Sequence, residues 1–555
     1  MLVAIAIGIE VVAVSRLNRR LLAAATIIMV AILSFAIAPG TVHAADTGAI
    51  TVDGTVATRY DAYRLFLATV ADDDDAGQKI ATDVTWANDT VRQTALSVLH
   101  DAGLDSSTST AQEAAEWMNA DGHMTTTLTA KLARAICKVG VPSVTLNAGT
   151  TAELPCGYWL IVADDEAGTA PIMALVGGAA VTVKPKAATP KVQKHVLEDS
   201  TAAWGKAADA TVGDDLYWRL SATVPAGLTA YDTYTVQFVD TMGAGLDPSK
   251  VAASMRVYAA AGTDGGFDAV SAGKDDRVGT EPAKGWTDIT AQCATKVAAD
   301  GKTFTVRTGD LIAALGGADA FTAGARVVAV YNAPLGANCN RGATKGNPNE
   351  VYLRYPRSPL ADQSGDVGFT RTPSDDACAY TWGLSLIKRS SSDDKPIAGA
   401  KLRIIDDRGR ILTTDGSWST DADACVTTGA DGHVELTGAD ADVYTVEEIA
   451  APKGYTAFGG KRTVTVTAEG LDVKQVAAAK PKVTVSVESP LRVDAADAGT
   501  GSIELSVLNT PSKEVSRGFM PSTGDRTLVL VAALAAIGVA AIVAAFVIKR
   551  GGGRR

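Results

Sequence analysis

The sequence predicts a mostly β protein, a row of tandem antiparallel sandwiches with some helix in its first unit and a single apolar helix near the C-terminus. Three observations predict it. Beyond Pro190 apolar and polar residues alternate mostly at period two, with turn residues between the runs, as half-buried strands require. Helical spacing is confined mainly to the first third, around Asp89 to His100 and Thr110 to Met118, with strand-like runs such as Tyr158 to Val162 and Ala179 to Val183 on either side. Once both ends are set aside, the length is that of about three domains at roughly 150 residues each.

In chain order, residues 1–44 read as an export signal. Arg16, Arg19 and Arg20 precede the apolar stretch Leu21 to Ala38, and Val42-His43-Ala44 supplies a small-x-small cleavage site, so the mature chain starts at Ala45. The apolar stretch Met1 to Val14 ahead of the arginines is unusual for such a signal and points to a start codon set too far upstream. A first domain spans 45–186, a middle domain 187–373 and a third 374–512. The boundaries fall at Lys184-Pro-Lys-Ala-Ala-Thr-Pro-Lys191 and Pro373-Ser-Asp-Asp376, where Pro and small polar residues interrupt the strand pattern. A linker, 513–526, leads to the apolar run 527–548, about long enough to span a bilayer. The tail 549–555 holds Lys549, Arg550, Arg554 and Arg555, a cytoplasmic stop under the positive-inside rule.

The net charge of −11 without any Lys/Arg-rich block excludes a nucleic-acid partner, which needs clustered cations. No metal or other cofactor is expected. None of the cysteine spacings is of the C-x2-C type, and Asp72-Asp73-Asp74-Asp75 lacks the glycine and terminal glutamate of a calcium loop. Nor is an enzyme expected, for no nucleophile elbow, zinc-protease helix, phosphate loop or Cys-His pair stands out. The six cysteines fall as one pair in each third of an exported chain, and pairing within domains is the simplest choice: Cys137–Cys156, Cys293–Cys339 and Cys378–Cys425.

Met520-Pro521-Ser522-Thr523-Gly524, directly before an apolar span and a basic terminus, resembles the cell-wall sorting signal of Gram-positive surface proteins. The resemblance implies that a sortase cysteine attacks the Thr523–Gly524 bond; Met520 stands where the usual Leu would. The segment Val181-Thr-Val-Lys184-Pro185-Lys186 resembles the pilin motif Val-x-Val-Tyr-Pro-Lys, whose lysine joins one subunit to the next. By position that is Lys186, although Lys184 replaces the tyrosine and competes, with Lys191 more distant. A joining lysine must be exposed, as a Pro-punctuated interdomain segment allows.

Leu386-Ile-Lys388, Pro396 to Leu402, Gly429-Ala-Asp-Gly432, Tyr444-Thr-Val-Glu-Glu448-Ile-Ala-Ala-Pro452-Lys-Gly-Tyr455 and Val507-Leu-Asn509-Thr-Pro511 resemble the B-type immunoglobulin-like repeat of collagen-binding adhesins and pilins. The Tyr-x-x-x-Glu-x-x-x-Pro-x-Gly-Tyr string is the most specific part. The resemblance implies a spontaneous isopeptide bond between Lys388 and Asn509, promoted by Glu448. Strand parity agrees independently, because Leu384/Leu386/Lys388, Tyr444/Val446/Glu448 and Ile503/Leu505/Val507/Asn509 each share one face. Burial then favours the neutral amine and neutral acid that the reaction needs, the acid stabilising the developing oxyanion and shuttling protons.

The middle domain carries a weaker version. Thr189 to Val196, Tyr234 to Met242 and Gly346 to Tyr355 resemble the corresponding domain of Gram-positive pilin shafts, which implies Lys194, Asn349 and the acid Asp240. Val192/Lys194/Val196, Val236/Phe238/Asp240 and Asn349/Val351/Leu353 each align on one face, while Asn332 and Asn347 remain rival acceptors.

Together these resemblances imply a major subunit of a sortase-assembled pilus, in which Thr523 of one subunit is joined to Lys186 of the next. Its expected partners are sortase, further pilin subunits and peptidoglycan, with a host or extracellular-matrix ligand for which no motif is present. The expected location is the cell surface, anchored to the wall after a plasma-membrane precursor. A monomeric wall-anchored adhesin and a basal pilin are the alternatives.

Overall fold

The computed structural model describes residues 46–512 except 54–58, 74–77, 121, 164–168, 186–188, 227, 265, 268–283 and 322. The expected export signal, sorting motif, apolar span and basic tail lie outside the described residues, as does Lys186. Among the described residues no helix is long and apolar enough to cross a membrane. The chain is mostly β, built of sandwiches, with its long helices confined to the first unit.

That first unit has three layers. A five-stranded antiparallel sheet, built on Arg59–Asp73 and Gly157–Ala163, lies in the middle. One face packs Trp159, Ile161 and Val176 against the small sheet of Thr47–Val52, Thr151–Pro155 and Val181–Val183. The other packs Phe66 and Leu160 against the helices Asp89–Asp101, Ala111–Asn119 and Thr126–Val139. Covered on both sides, Gly157–Ala163 is a continuous apolar run instead of an alternation. Asn88, Thr110 and Thr125 cap the helices by accepting from the N–H groups of Val91, Glu113 and Leu128. The periodicity predicts the first two helices and misses the third. Its opening Thr125-Thr-Thr-Leu-Thr is mostly β-branched, and of the stripe Leu128, Leu132, Ile136 that anchors it only Leu128 falls within that run.

The middle unit is a sandwich. One sheet has Lys191–Glu198, Tyr217–Val224, Ala325–Asn332 and Arg256–Ala261 as its body; the facing sheet has Asp375–Tyr380, Asn347–Pro356, Gln237–Met242 and Thr303–Arg307. Between them lie Trp218, Phe238, Phe304, Tyr331 and Leu353. In the third unit Trp382–Ser390 sits between His433–Ala439 and Ser502–Pro511, facing a sheet that contains Lys401–Ile405, Val443–Ala450 and Lys461–Glu469. Its first and last strands run parallel, with Lys388 opposite Val507 and Ser390 opposite Asn509.

One boundary moves. Asp375–Tyr380, assigned by the sequence to the third domain, pairs with Asn347–Pro356 and with Ala207–Asp209 in the middle unit's sheet. Pro373 and its polar neighbours mark only the connection into that strand. Ala377 and Ala379 point into the middle core while Cys378 and Tyr380 point into the third, so one strand serves both cores.

Candidate functional site

In the third unit, alternation places Lys388, Asn509 and Glu448 in the core. Lys388 and Asn509 come from adjacent parallel strands and Glu448 from the facing sheet. All three are buried. Lys388 Nζ donates to Asn509 Oδ1 at 2.5 Å and lies 3.1 Å from Glu448 Oε2. Asn509 Nδ2 donates to Glu448 Oε1 at 2.7 Å. The two carboxyl oxygens therefore face different partners, one the amine and the other the amide nitrogen. The sequence reading expected the acid to face the carbonyl oxygen; the structure turns the amide so that its nitrogen meets the acid. Phe458, which the motif does not reveal, closes the pocket. Its backbone N–H donates to Glu448 Oε2 at 3.0 Å, and its ring lies 4.8 Å from Lys388 Nζ. Burial pushes the Lys388 amine down to about 8, with Glu448 opposing the shift.

The middle unit brings Lys194 and Asp240 together as a fully buried ion pair across the sandwich. Burial again pushes the lysine down to about 8 and the aspartate upward, each opposed by the other's charge. Asn349 sits on the strand beside Asp240, with its Nδ2 donating to Tyr331 Oη at 2.8 Å. Among the rivals, Asn347 exchanges hydrogen bonds with the backbone of Asn340 and Ala379, and Asn332 Oδ1 accepts from Leu216 N–H. Neither is hydrogen-bonded to the buried cluster. The backbone of Lys194 is also held: its N–H donates to Asp375 Oδ2 at 2.7 Å, its carbonyl accepts from Lys206 Nζ at 2.8 Å, and Lys206 and Asp375 are paired with each other.

Of the lysines near the first junction, Lys184 and Lys191 are exposed. Lys186, Met520, Pro521, Ser522, Thr523 and Gly524 lie outside the described residues. Among the described residues no disulfide joins the expected pairs Cys137–Cys156, Cys293–Cys339 and Cys378–Cys425. Cys293 Sγ donates to Ile289 O at 3.3 Å, and Cys378 belongs to the strand shared by two cores while Cys425 precedes the short edge strand Val426–Thr427. Burial pushes the Cys293 thiol up to about 12 and Cys378 to about 11, away from the reactive thiolate.

A carboxyl cluster between the middle and third units carries no sequence signal. Trp382 Nε1 and Ala441 N–H donate to Asp209 Oδ2 at 2.6 and 3.0 Å, and Asp209 N–H donates to Glu198 Oε2 at 3.1 Å. Burial first, then the neighbouring carboxylates, raise Asp440 well above the usual range and push Glu198 up to about 7; burial raises Asp209. At its rim Arg408 and Arg410 pair with Asp214. Protonated carboxyls favour this contact, so its contribution is present below about pH 4.5 and is lost as the pH rises toward 7. Thermal unfolding is accordingly expected at a lower temperature at pH 8 than at pH 5, with Glu198→Gln narrowing the gap. A midpoint that climbs over this range contradicts the assignment.

Residues 383–480 match the SpaA family, a prealbumin-like fold domain. No curated protein matches the chain. Among solved structures it is similar to the T6 backbone pilin of serotype M6 Streptococcus pyogenes, at 15% identity and TM-score 0.47, covering 85% of this chain and 100% of that one. It is similar also to the full-length major pilin SpaD from Corynebacterium diphtheriae, at 15% identity and TM-score 0.41, covering 84% and 98%. The major pilin subunit BcpA of Bacillus cereus is a further neighbour, at 11% identity and TM-score 0.37, covering 84% and 99%.

Proposed function

We propose that this chain is a structural subunit of a covalently polymerised, wall-anchored pilus whose sandwiches carry internal isopeptide bonds. The observation that carries the reading is the buried Lys388–Glu448–Asn509 cluster within the prealbumin-like segment and the strand that closes it. Burying an ammonium, a carboxylate and an amide together is costly unless they react or neutralise one another. Transfer of a proton from Lys388 Nζ to Glu448 Oε2 leaves an amine that adds to Cγ of Asn509. The adduct's Nζ gives a second proton to Glu448 as the first passes through Oε1 to Nδ2; the carbonyl re-forms, the C–Nδ2 bond breaks, and ammonia leaves with Glu448 protonated. Lys194, Asp240 and Asn349 form the corresponding set in the middle unit.

Assembly uses the two ends. The apolar span holds the exported precursor, a sortase cleaves between Thr523 and Gly524, and the Thr523 carbonyl passes to Lys186 of the next subunit or, at the base, to peptidoglycan. Repetition of this head-to-tail contact without closure makes a filament, supporting adhesion. Immunoblotting of wall extracts boiled in detergent is expected to give a ladder of covalent multimers; a single band at subunit mass is the result for a monomeric adhesin and overturns polymerisation. Thr523→Ala is expected to trap a membrane-bound precursor, and normal wall attachment of that variant contradicts sorting at this motif.

A further inference from the structure

The two buried lysine sites differ in one respect. In the third unit Glu448 touches both the amine and the amide nitrogen, whereas in the middle unit Asp240, one methylene shorter, is hydrogen-bonded to Lys194 and Tyr331 but not to Asn349. The gap is filled by the hydroxyl of Tyr331. Lys194 Nζ donates to Tyr331 Oη at 2.9 Å, Tyr331 Oη donates to Asp240 Oδ2 at 3.1 Å, and Asn349 Nδ2 donates to the same hydroxyl at 2.8 Å. Tyr331 is fully buried, with Phe304 edge-on to its ring at 4.8 Å, so the hydroxyl has a fixed position. Asp240 Oδ1 and Asn349 Oδ1 have no hydrogen-bond partner, which leaves that hydroxyl as the polar link between acid and amide.

We propose that Tyr331 is a catalytic proton relay for the middle-unit isopeptide bond, an inference that rests on reading Lys194 and Asn349 as the bonded pair. Neutral Lys194 Nζ adds to Cγ of Asn349, forming the C–N bond as the carbonyl π pair moves onto Oδ1. Nζ sheds one proton into the pair of Asp240 and Tyr331 while the Tyr331 hydroxyl gives its own proton to Nδ2. The carbonyl re-forms, the C–Nδ2 bond breaks, and ammonia departs with all protons accounted for. A carboxylate and a phenol together do what one longer carboxylate does in the third unit.

The test uses the full chain, purified from a host without sortase and digested for peptide mapping by mass spectrometry. Tyr331→Phe keeps the ring and removes only the relay; the Lys194–Asn349 cross-linked peptide is expected to fall at least tenfold while the Lys388–Asn509 peptide of the same digest stays at its wild-type level. Adding Asp240→Glu to Tyr331→Phe is expected to restore the lost peptide, because the longer acid reaches Nδ2 itself. A hydroxyl that merely satisfies buried polar groups is not replaced by that change. Full cross-linking in Tyr331→Phe, or loss without recovery in the double variant, overturns the relay. Absence of the Lys194–Asn349 peptide from the wild-type chain instead removes the bonded pair itself, and the relay with it.

Discussion

Replacing Glu448 by alanine is expected to leave the third unit uncrosslinked, its intact mass higher by about 17 Da, the ammonia not expelled, beyond the change due to the substitution itself. Glu448 contacts both reacting nitrogens, at 3.1 Å from Lys388 Nζ and 2.7 Å from Asn509 Nδ2, so no other carboxyl can replace it without moving a strand. The lost bond would have closed a loop between residues separated by 121 positions, worth about 4 to 5 kcal/mol by the chain-entropy estimate for any covalent link. At about 4 °C per kcal/mol for a domain of this size, the third unit should unfold some 15 to 20 °C lower, with matching loss of protease resistance. Burial pushes the Lys388 amine down to about 8 against the opposing charge of Glu448; Glu448→Gln removes that opposition and lowers the amine further, so any slow residual reaction in this variant should slow as the pH falls well below 8 and gain little above it. Intact mass and scanning calorimetry measure both effects. An uncrosslinked mass in the wild-type chain would eliminate the chemistry and leave a buried ion pair as a structural cost.

Lys186→Ala should convert the detergent-resistant ladder to a single subunit band while secretion and folding continue as before. The flanking strands Val181–Val183 and Lys191–Glu198 pair through residues other than Lys186, so the substitution leaves both ladders their partners. The effect is all-or-none, since each junction needs one amine. A ladder that survives Lys186→Ala but disappears in Lys184→Ala or Lys191→Ala reassigns the amine to an exposed neighbour and keeps the mechanism; a ladder that survives all three variants ends it.

Much of this was legible because strands alternate. Lysine, asparagine and acid on the same parity as Leu386, Val446 and Val507 had to face a core, and parity requires no knowledge of which strands pair. What parity cannot supply is the partner across the sandwich. Tyr331 lies next to Asn332 in sequence and on the opposite face, so the parity that marks Asn332 as an acceptor does not mark the tyrosine; its role depends on Gln237–Met242 lying opposite Ala325–Asn332. Glu198, Asp209 and Asp440 are each unremarkable acids in sequence, and only the packing of two units makes them a cluster. The strand Asp375–Tyr380 misleads for a related reason: a strand whose two faces enter two cores has no polar face to betray which unit it joins.

Parallel pairing of Trp382–Ser390 with Ser502–Pro511 has a mechanical consequence. The chain enters the third unit at the start of one strand and leaves at the finish of the other, and in a parallel pair these points lie at opposite ends. Pulling on the two ends slides the strands along their own axes, so the eight register pairs from Gly383↔Ser502 to Ser390↔Asn509 are loaded in shear and must yield together. Had the same strands been antiparallel with both ends at one side, the ladder would peel open one pair at a time under a far smaller force. Resistance to stretching is thus laid down by the direction of a strand, before any side chain reacts.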